Sequence, residues 1–128
     1  MRIIGLGTDI VEMARLKAAL DNFETFRERV YTPAEQTLGS IKSENLAFYA
    51  GRWAAKEAAS KALGCGIGEK CSFTDIEILN ADDGRPVLTL SGAAAQLASS
   101  LGVSEISISI SHERHYAVAT VILSGRDL

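Results

Sequence analysis

Two short stretches carry side chains whose types and spacing suit chemistry. In "GLGTDIVEM" Asp9 and Glu12 form a D-x-x-E pair, and in "GRWAAKEAASKALG" Arg52, Lys56, Glu57 and Lys61 share one helical segment. Should Asp9 and Glu57 converge, they supply two hard oxygen ligands for magnesium, and the lysines meet the phosphates that magnesium usually accompanies. Structural readings exist for both stretches. Asp9 suits a helix N-cap that Glu12 completes as a capping box, and Glu57 with Lys61 suits a solvated i,i+4 pair.

Other motifs carry less. The loop "GCGIGEKC" fails the P-loop pattern, because Glu69 stands where the glycine before lysine belongs and the loop follows a helix rather than a strand. "GLG" at the start lacks the third glycine of the dinucleotide fingerprint. Ser111 and His112 are adjacent, so on a strand they face opposite ways, and a direct nucleophile and base pair would need a local distortion. His112 and His115 sit in a turn and read first as ordinary polar residues. Cys65 and Cys71 match no zinc spacing and are expected as reduced thiols.

The elements that must position these groups follow from periodicity. "RIIGL" reads as a buried first strand ending at Gly7, with a helix starting near Asp9. "ETFRERV" is a second helical piece. "TPAE" places Thr32 as N-cap, Pro33 at the first helical position and Glu35 in a capping box. The longest helix runs from about Asn45 to Leu63, with Gly64 as its left-handed stop. In it Ala54, Ala55, Ala58, Ala59 and Ala62 gather on one side, and the charged residues sweep out the other. "FTDIEIL" and "VLTL" flank an Asp83-Gly84 turn, "GAAAQLASSLG" returns to helix, and "EISISIS" alternates, with Ile106, Ile108 and Ile110 opposite Ser107, Ser109 and Ser111. The last strand is "YAVATVIL". The order implies an α+β fold in which an antiparallel sheet packs against small-residue helices, as a single domain over residues 1–128.

Composition narrows the function classes. The chain has 47% hydrophobic and 23% charged residues and a net charge of -3, which suits a globular domain and disfavours nonspecific nucleic-acid binding. Its longest apolar run falls far below a membrane span, and the start of the chain has no signal-peptide pattern, so a cytoplasmic location is expected.

Three stretches together resemble the holo-(acyl-carrier-protein) synthase family of short phosphopantetheinyl transferases: "GLGTDIVEMARL", "FYAGRWAAKEAASKALGCGI" and "ISISHERHYAVATVIL". That resemblance implies transfer of 4′-phosphopantetheine from coenzyme A to a serine of apo acyl carrier protein, with release of adenosine 3′,5′-bisphosphate, in fatty-acid synthesis. It implies magnesium held by Asp9 and Glu57, and Lys61 neutralising phosphate. Arg52 and Lys56 would extend the same positive wall, His112 would lie near the 3′-phosphate and ribose, and Gly84, Arg85 and Pro86 beside the adenine. It also implies a homotrimer with active sites between subunits, and an acidic carrier docking on Arg15 and nearby basic residues, although Asp21, Glu24 and Glu28 are interleaved with Lys17, Arg27 and Arg29. The alternatives are a small magnesium-dependent nucleotide hydrolase, which would release product without a carrier, and a coenzyme A-binding module without turnover.

Overall fold

In the computed structural model, which describes residues 1–127, β1 (Arg2–Glu12) and the two C-terminal strands β4 (Val103–His112) and β5 (Tyr116–Gly125) form an antiparallel sheet in the order β1-β5-β4. Strands β2 (Ile76–Asn80) and β3 (Pro86–Leu90) form a separate antiparallel hairpin. Between β1 and β2 lie α1 (Met13–Asn22), α2 (Phe26–Val30), α3 (Pro33–Ser40) and α4 (Asn45–Leu63), and α5 (Gly92–Leu101) links β3 to β4. The expected α+β architecture is present.

Strand β1 departs from the sequence expectation. It runs through Asp9 to Glu12, and α1 begins at Met13 with no side-chain cap from Glu12, so the capping box of Asp9 and Glu12 does not form. The cause lies in its alternation: the inward positions Gly5 and Gly7 carry no side chains, which hides the period-two pattern, while β5 pairs with β1 as far as Glu12 against Tyr116. Other boundaries follow the sequence closely. Thr32 and Glu35 make the reciprocal capping box that opens α3, and Gly64 ends α4 at φ +85°. Residues Phe73–Asp75 form a single 3-10 turn before β2, which shortens that strand at its start.

Register fixes two faces of the main sheet. Gly7, Val121 and Ile108 form one cross-strand row facing α4, followed by Asp9, Ala119 and Ile110, then Val11, Ala117 and His112. The opposite face carries Leu6, Ile10, Val118 and Tyr116 beside Ser107, Ser109 and Ser111. Helix α4 crosses the inner face with Ala54, Ala55, Ala58 and Ala59 fully or almost fully buried. At Gly5 a Cβ would overlap the Ala62 carbonyl, and at Gly7 the Ala58 carbonyl, so backbone meets backbone there. Among the described residues no helix is long and apolar enough to cross a membrane.

Gly7→Ala forces α4 off β1 or strains both elements, and is expected to cost about 1–3 kcal/mol. A urea melt checks this by its midpoint, and an unchanged midpoint would contradict the close approach.

Candidate active site

Asp9 projects from β1 toward α4, where Lys61 donates to Asp9 Oδ1 at 2.8 Å and to the Thr8 carbonyl at 3.2 Å. The other carboxylate oxygen, Asp9 Oδ2, is buried with no hydrogen-bond partner. An acceptor left so costs roughly 1–3 kcal/mol, which a fold tolerates where something else completes the site. Glu57 lies one helical turn before Lys61. Burial, and then the charge of Asp9, push its carboxyl above the ordinary range, while Lys61 pulls the other way. Two crowded carboxylates with an orphaned oxygen fit a hard divalent cation, since its charge relieves both the desolvation and the repulsion. Among the described residues no third histidine, cysteine or carboxylate joins them, so the rest of the coordination shell falls to water and substrate oxygens.

A second group of expected residues meets elsewhere. Arg52, Gly84, Pro86 and His112 line one cleft of about 390 Å³, together with Phe48, Asn80 and Ile110. The Arg52 guanidinium lies 4.2 Å from the Phe48 ring centroid, donating to Asn80 Oδ1 at 2.7 Å and to the Ile78 carbonyl at 3.3 Å. Burial pulls its pKa down, and Glu35 opposes this. The turn reverses through Gly84 at φ +90°, a left-handed conformation that favours glycine, and Asp83 Oδ1 accepts from the Arg85 backbone at 3.1 Å. His112 ends β4 on the inner face, and Ser111 faces the other way, as adjacent strand residues must.

Two expected members of the coenzyme A site, Lys56 at the phosphates and Arg85 beside the adenine, lie elsewhere. Lys56 is 0% exposed, and its ammonium serves Glu35 Oε1 and the carbonyls of Val30, Phe73 and Ile76 at 2.6–2.9 Å. It is an internal cation and takes no place in an open positive wall. Arg85 turns away from the cleft toward Asp83 Oδ2 at 3.7 Å and lines a separate hollow with Val87 and Glu105. Sequence reading missed Asn80 and Phe48, which hold Arg52, and gave Glu35 only its capping role. One signal could have found Glu35: a lysine set among Ala54, Ala55, Ala58 and Ala59 needs a buried counter-charge.

The two groups sit on different sides of α4. Arg52 and Glu57 project about 140° apart around its axis. Trp53, one turn before Glu57, lines a third hollow of about 160 Å³ with Ile10, Arg15 and Phe26. Burial holds the Cys71 thiol up to about 12, in keeping with an inert thiol, and both cysteines are free.

A carboxylate pair on a strand and helix, with a hairpin cleft across that helix, belongs to a known class. Residues 5–121 match the family model of the 4′-phosphopantetheinyl transferase superfamily, and the chain belongs to that superfamily of enzymes. Within it, the chain is 52% identical over 127 residues to the holo-[acyl-carrier-protein] synthase of Vibrio vulnificus, covering 98% of this chain and 100% of that one. It is 48% identical to the Vibrio parahaemolyticus holo-[acyl-carrier-protein] synthase over 126 residues, again 98% of this chain and 100% of that one. Among solved structures, the Neisseria meningitidis holo-[acyl-carrier-protein] synthase superimposes with a TM-score of 0.88 at 32% identity, covering 96% of this chain and 99% of that one. The Bacillus anthracis synthase in complex with coenzyme A (3′,5′-ADP) superimposes with a TM-score of 0.82 at 40% identity, covering 97% and 98%.

A carboxyl whose folded pKa is raised penalises the fold while ionised, and the penalty is relieved as pH falls through that raised pKa. Glu57→Gln is therefore expected to raise Tm in divalent-free buffer at neutral pH by roughly 1–3 °C, a modest gain because the group is partly screened by solvent. The gain should shrink on acidification. A scan across pH checks both the sign and the trend.

Proposed function

We propose that this chain transfers 4′-phosphopantetheine from coenzyme A to a serine of an apo acyl carrier protein, as a cytoplasmic, magnesium-dependent step in fatty-acid synthesis. The observation that carries this reading is the orphaned, buried Asp9 Oδ2 beside Glu57 and Lys61. The names of full-length relatives support the acceptor, and the Helicobacter pylori synthase in complex with coenzyme A supports the donor. In the reaction the serine oxygen bonds the β-phosphorus as that atom's bond to the bridging oxygen breaks, and adenosine 3′,5′-bisphosphate leaves with that oxygen.

Asp9 and Glu57 hold magnesium, which when bound stabilises the charge growing on the departing phosphate. Lys61 can swing from Asp9 to a phosphate oxygen, since its side chain is 52% exposed. Arg52 and His112 meet the 3′-phosphate, and Gly84 and Pro86 offer a flat, unobstructed edge to the adenine. Positioning and electrostatics suffice here, and no covalent enzyme intermediate is required.

Because the carboxylate pair and the cleft face different ways on α4, one site combines the pair of one copy with the cleft of another. A homotrimer satisfies this. The outer sheet face supports such burial, with the large apolar side chains of Leu6 at 65%, Ile10 at 62% and Tyr116 at 44% exposure on one face. Arg15, at the rim of the apolar hollow beside Asp9, suits an acidic carrier that inserts an apolar side chain there.

Incubation with coenzyme A, magnesium and apo carrier, followed by intact mass of the carrier, tests the reading. A gain of one phosphopantetheine group is expected, lost with chelator and reduced on the order of 10²-fold or more by Asp9→Asn or Glu57→Gln. Adenosine bisphosphate released without carrier modification would indicate the hydrolase instead, and tight binding without turnover the binding module. Co-expressing Glu57→Gln with Arg52→Ala/His112→Ala should restore part of the activity that each lacks alone. Failure of that mixture, with oligomers formed, would overturn the shared site.

A further inference from the structure

Strand β2 has β3 on one edge and no strand on the other. Around Ile76 and Ile78 that open edge is nonetheless hydrogen-bonded by side chains. The Ile78 amide donates to Glu35 Oε2 at 2.8 Å, the Ile76 carbonyl accepts from Lys56 at 2.6 Å, and the Ile78 carbonyl accepts from Arg52 Nε at 3.3 Å. Two cations one turn apart on α4 and one carboxylate from α3 thus take the place of the missing strand. Lys56 reaches further, to Val30 at the end of α2 and Phe73 in the 3-10 turn, and Glu35 Oε1 also accepts from the Thr32 amide at 2.9 Å. Lys56 and Glu35 are both 0% exposed.

The placement of this hub matters for the reaction. On one side Lys56 immediately precedes Glu57 on α4, a helix seated on β1 by the close approach at Gly5 and Gly7. On the other side, β2 ends at Asn80, whose side chain fixes Arg52 in the cleft, and continues into the turn bearing Gly84 and Pro86. A buried ion pair is weak evidence for stability, because desolvation offsets most of its attraction. Its geometric demands are strict, since three ammonium protons must serve four acceptors.

We propose that Lys56 and Glu35 are positioning residues for coenzyme A, acting through the open edge of β2 to hold the nucleotide cleft at its working width against α4. They touch no substrate. The inference rests on the transfer reaction proposed above and adds to it a distinct kinetic signature. Loss of the hub lets the hairpin shift, so the KM for coenzyme A rises while the KM for the carrier stays near its original value.

The test uses the full-length oligomer and steady-state kinetics with each substrate varied. Lys56→Met and Glu35→Gln are both made; the second keeps shape and one carbonyl acceptor and guards against the first failing to fold. In the folded fraction of either variant, KM for coenzyme A is expected to rise at least tenfold with kcat changed less. Amide exchange at Ile78 should quicken in the same variants. A coenzyme A KM within twofold of the parent, with activity falling only in proportion to the folded fraction, would overturn the proposal and leave the pair purely structural. Absence of transfer by the parent protein would instead remove the reaction itself, so the two failures are distinguishable.

Discussion

Backbone against backbone, where α4 crosses β1 at Gly5 and Gly7, is the contact on which the rest depends. No side chain separates helix from strand, so the helix approaches closely enough for Lys61 to reach both Asp9 and the Thr8 carbonyl. The same approach buries Asp9 and pushes its unpartnered oxygen out of reach of water. Any inward side chain at position 5 or 7 would lift the helix and open the carboxylate pair to solvent, and Glu57 would lose the burial that raises its pKa.

The opposite flank of α4 shows how the same helix handles charge by a different route. Lys56 turns fully inward onto Glu35 and backbone carbonyls, and Arg52 is braced by Asn80, the Ile78 carbonyl and the Phe48 ring. Glu57 and Lys61 remain at the surface. One helix therefore places Lys56 wholly inside the protein, braces Arg52 at the wall of the cleft and leaves Glu57 and Lys61 open to chemistry. The division follows from whether a neighbouring element supplies acceptors, since a buried charge without partners is far too costly to keep.

Much of this could be read from the sequence. The Thr32 to Glu35 capping box, the α4 span to Gly64 and the alternation of Ile106 to Ser111 are local patterns, and the structure contains them as read. The misreadings share a physical cause, which is that the deciding partner lies far along the chain. Asp9 looked like a cap because its strand partner, Ala119, is more than a hundred residues away. Lys56 looked like a surface cation because its acceptors come from α2, α3, the 3-10 turn and β2. The resemblance sets Arg85 beside Gly84 and Pro86 as one segment, whereas the turn sends its side chain the other way. Local chemistry made Asp9, Glu57 and Lys61 candidates, the family resemblance favoured them, and only the fold could show that the hairpin residues assemble across the helix from them.

The split of α4 into two working faces has a consequence for inheritance and dosage. In an assembly whose sites each draw one half from either neighbour, a side-chain defect on one face is confined to one site per defective copy. A defect in the α4 backbone, such as a displaced helix, spoils the half-sites on both of its faces and so disables two sites from a single faulty copy. When normal and faulty chains are made in equal amounts and mix at random, about half of the sites should survive the first kind of lesion and about a quarter the second.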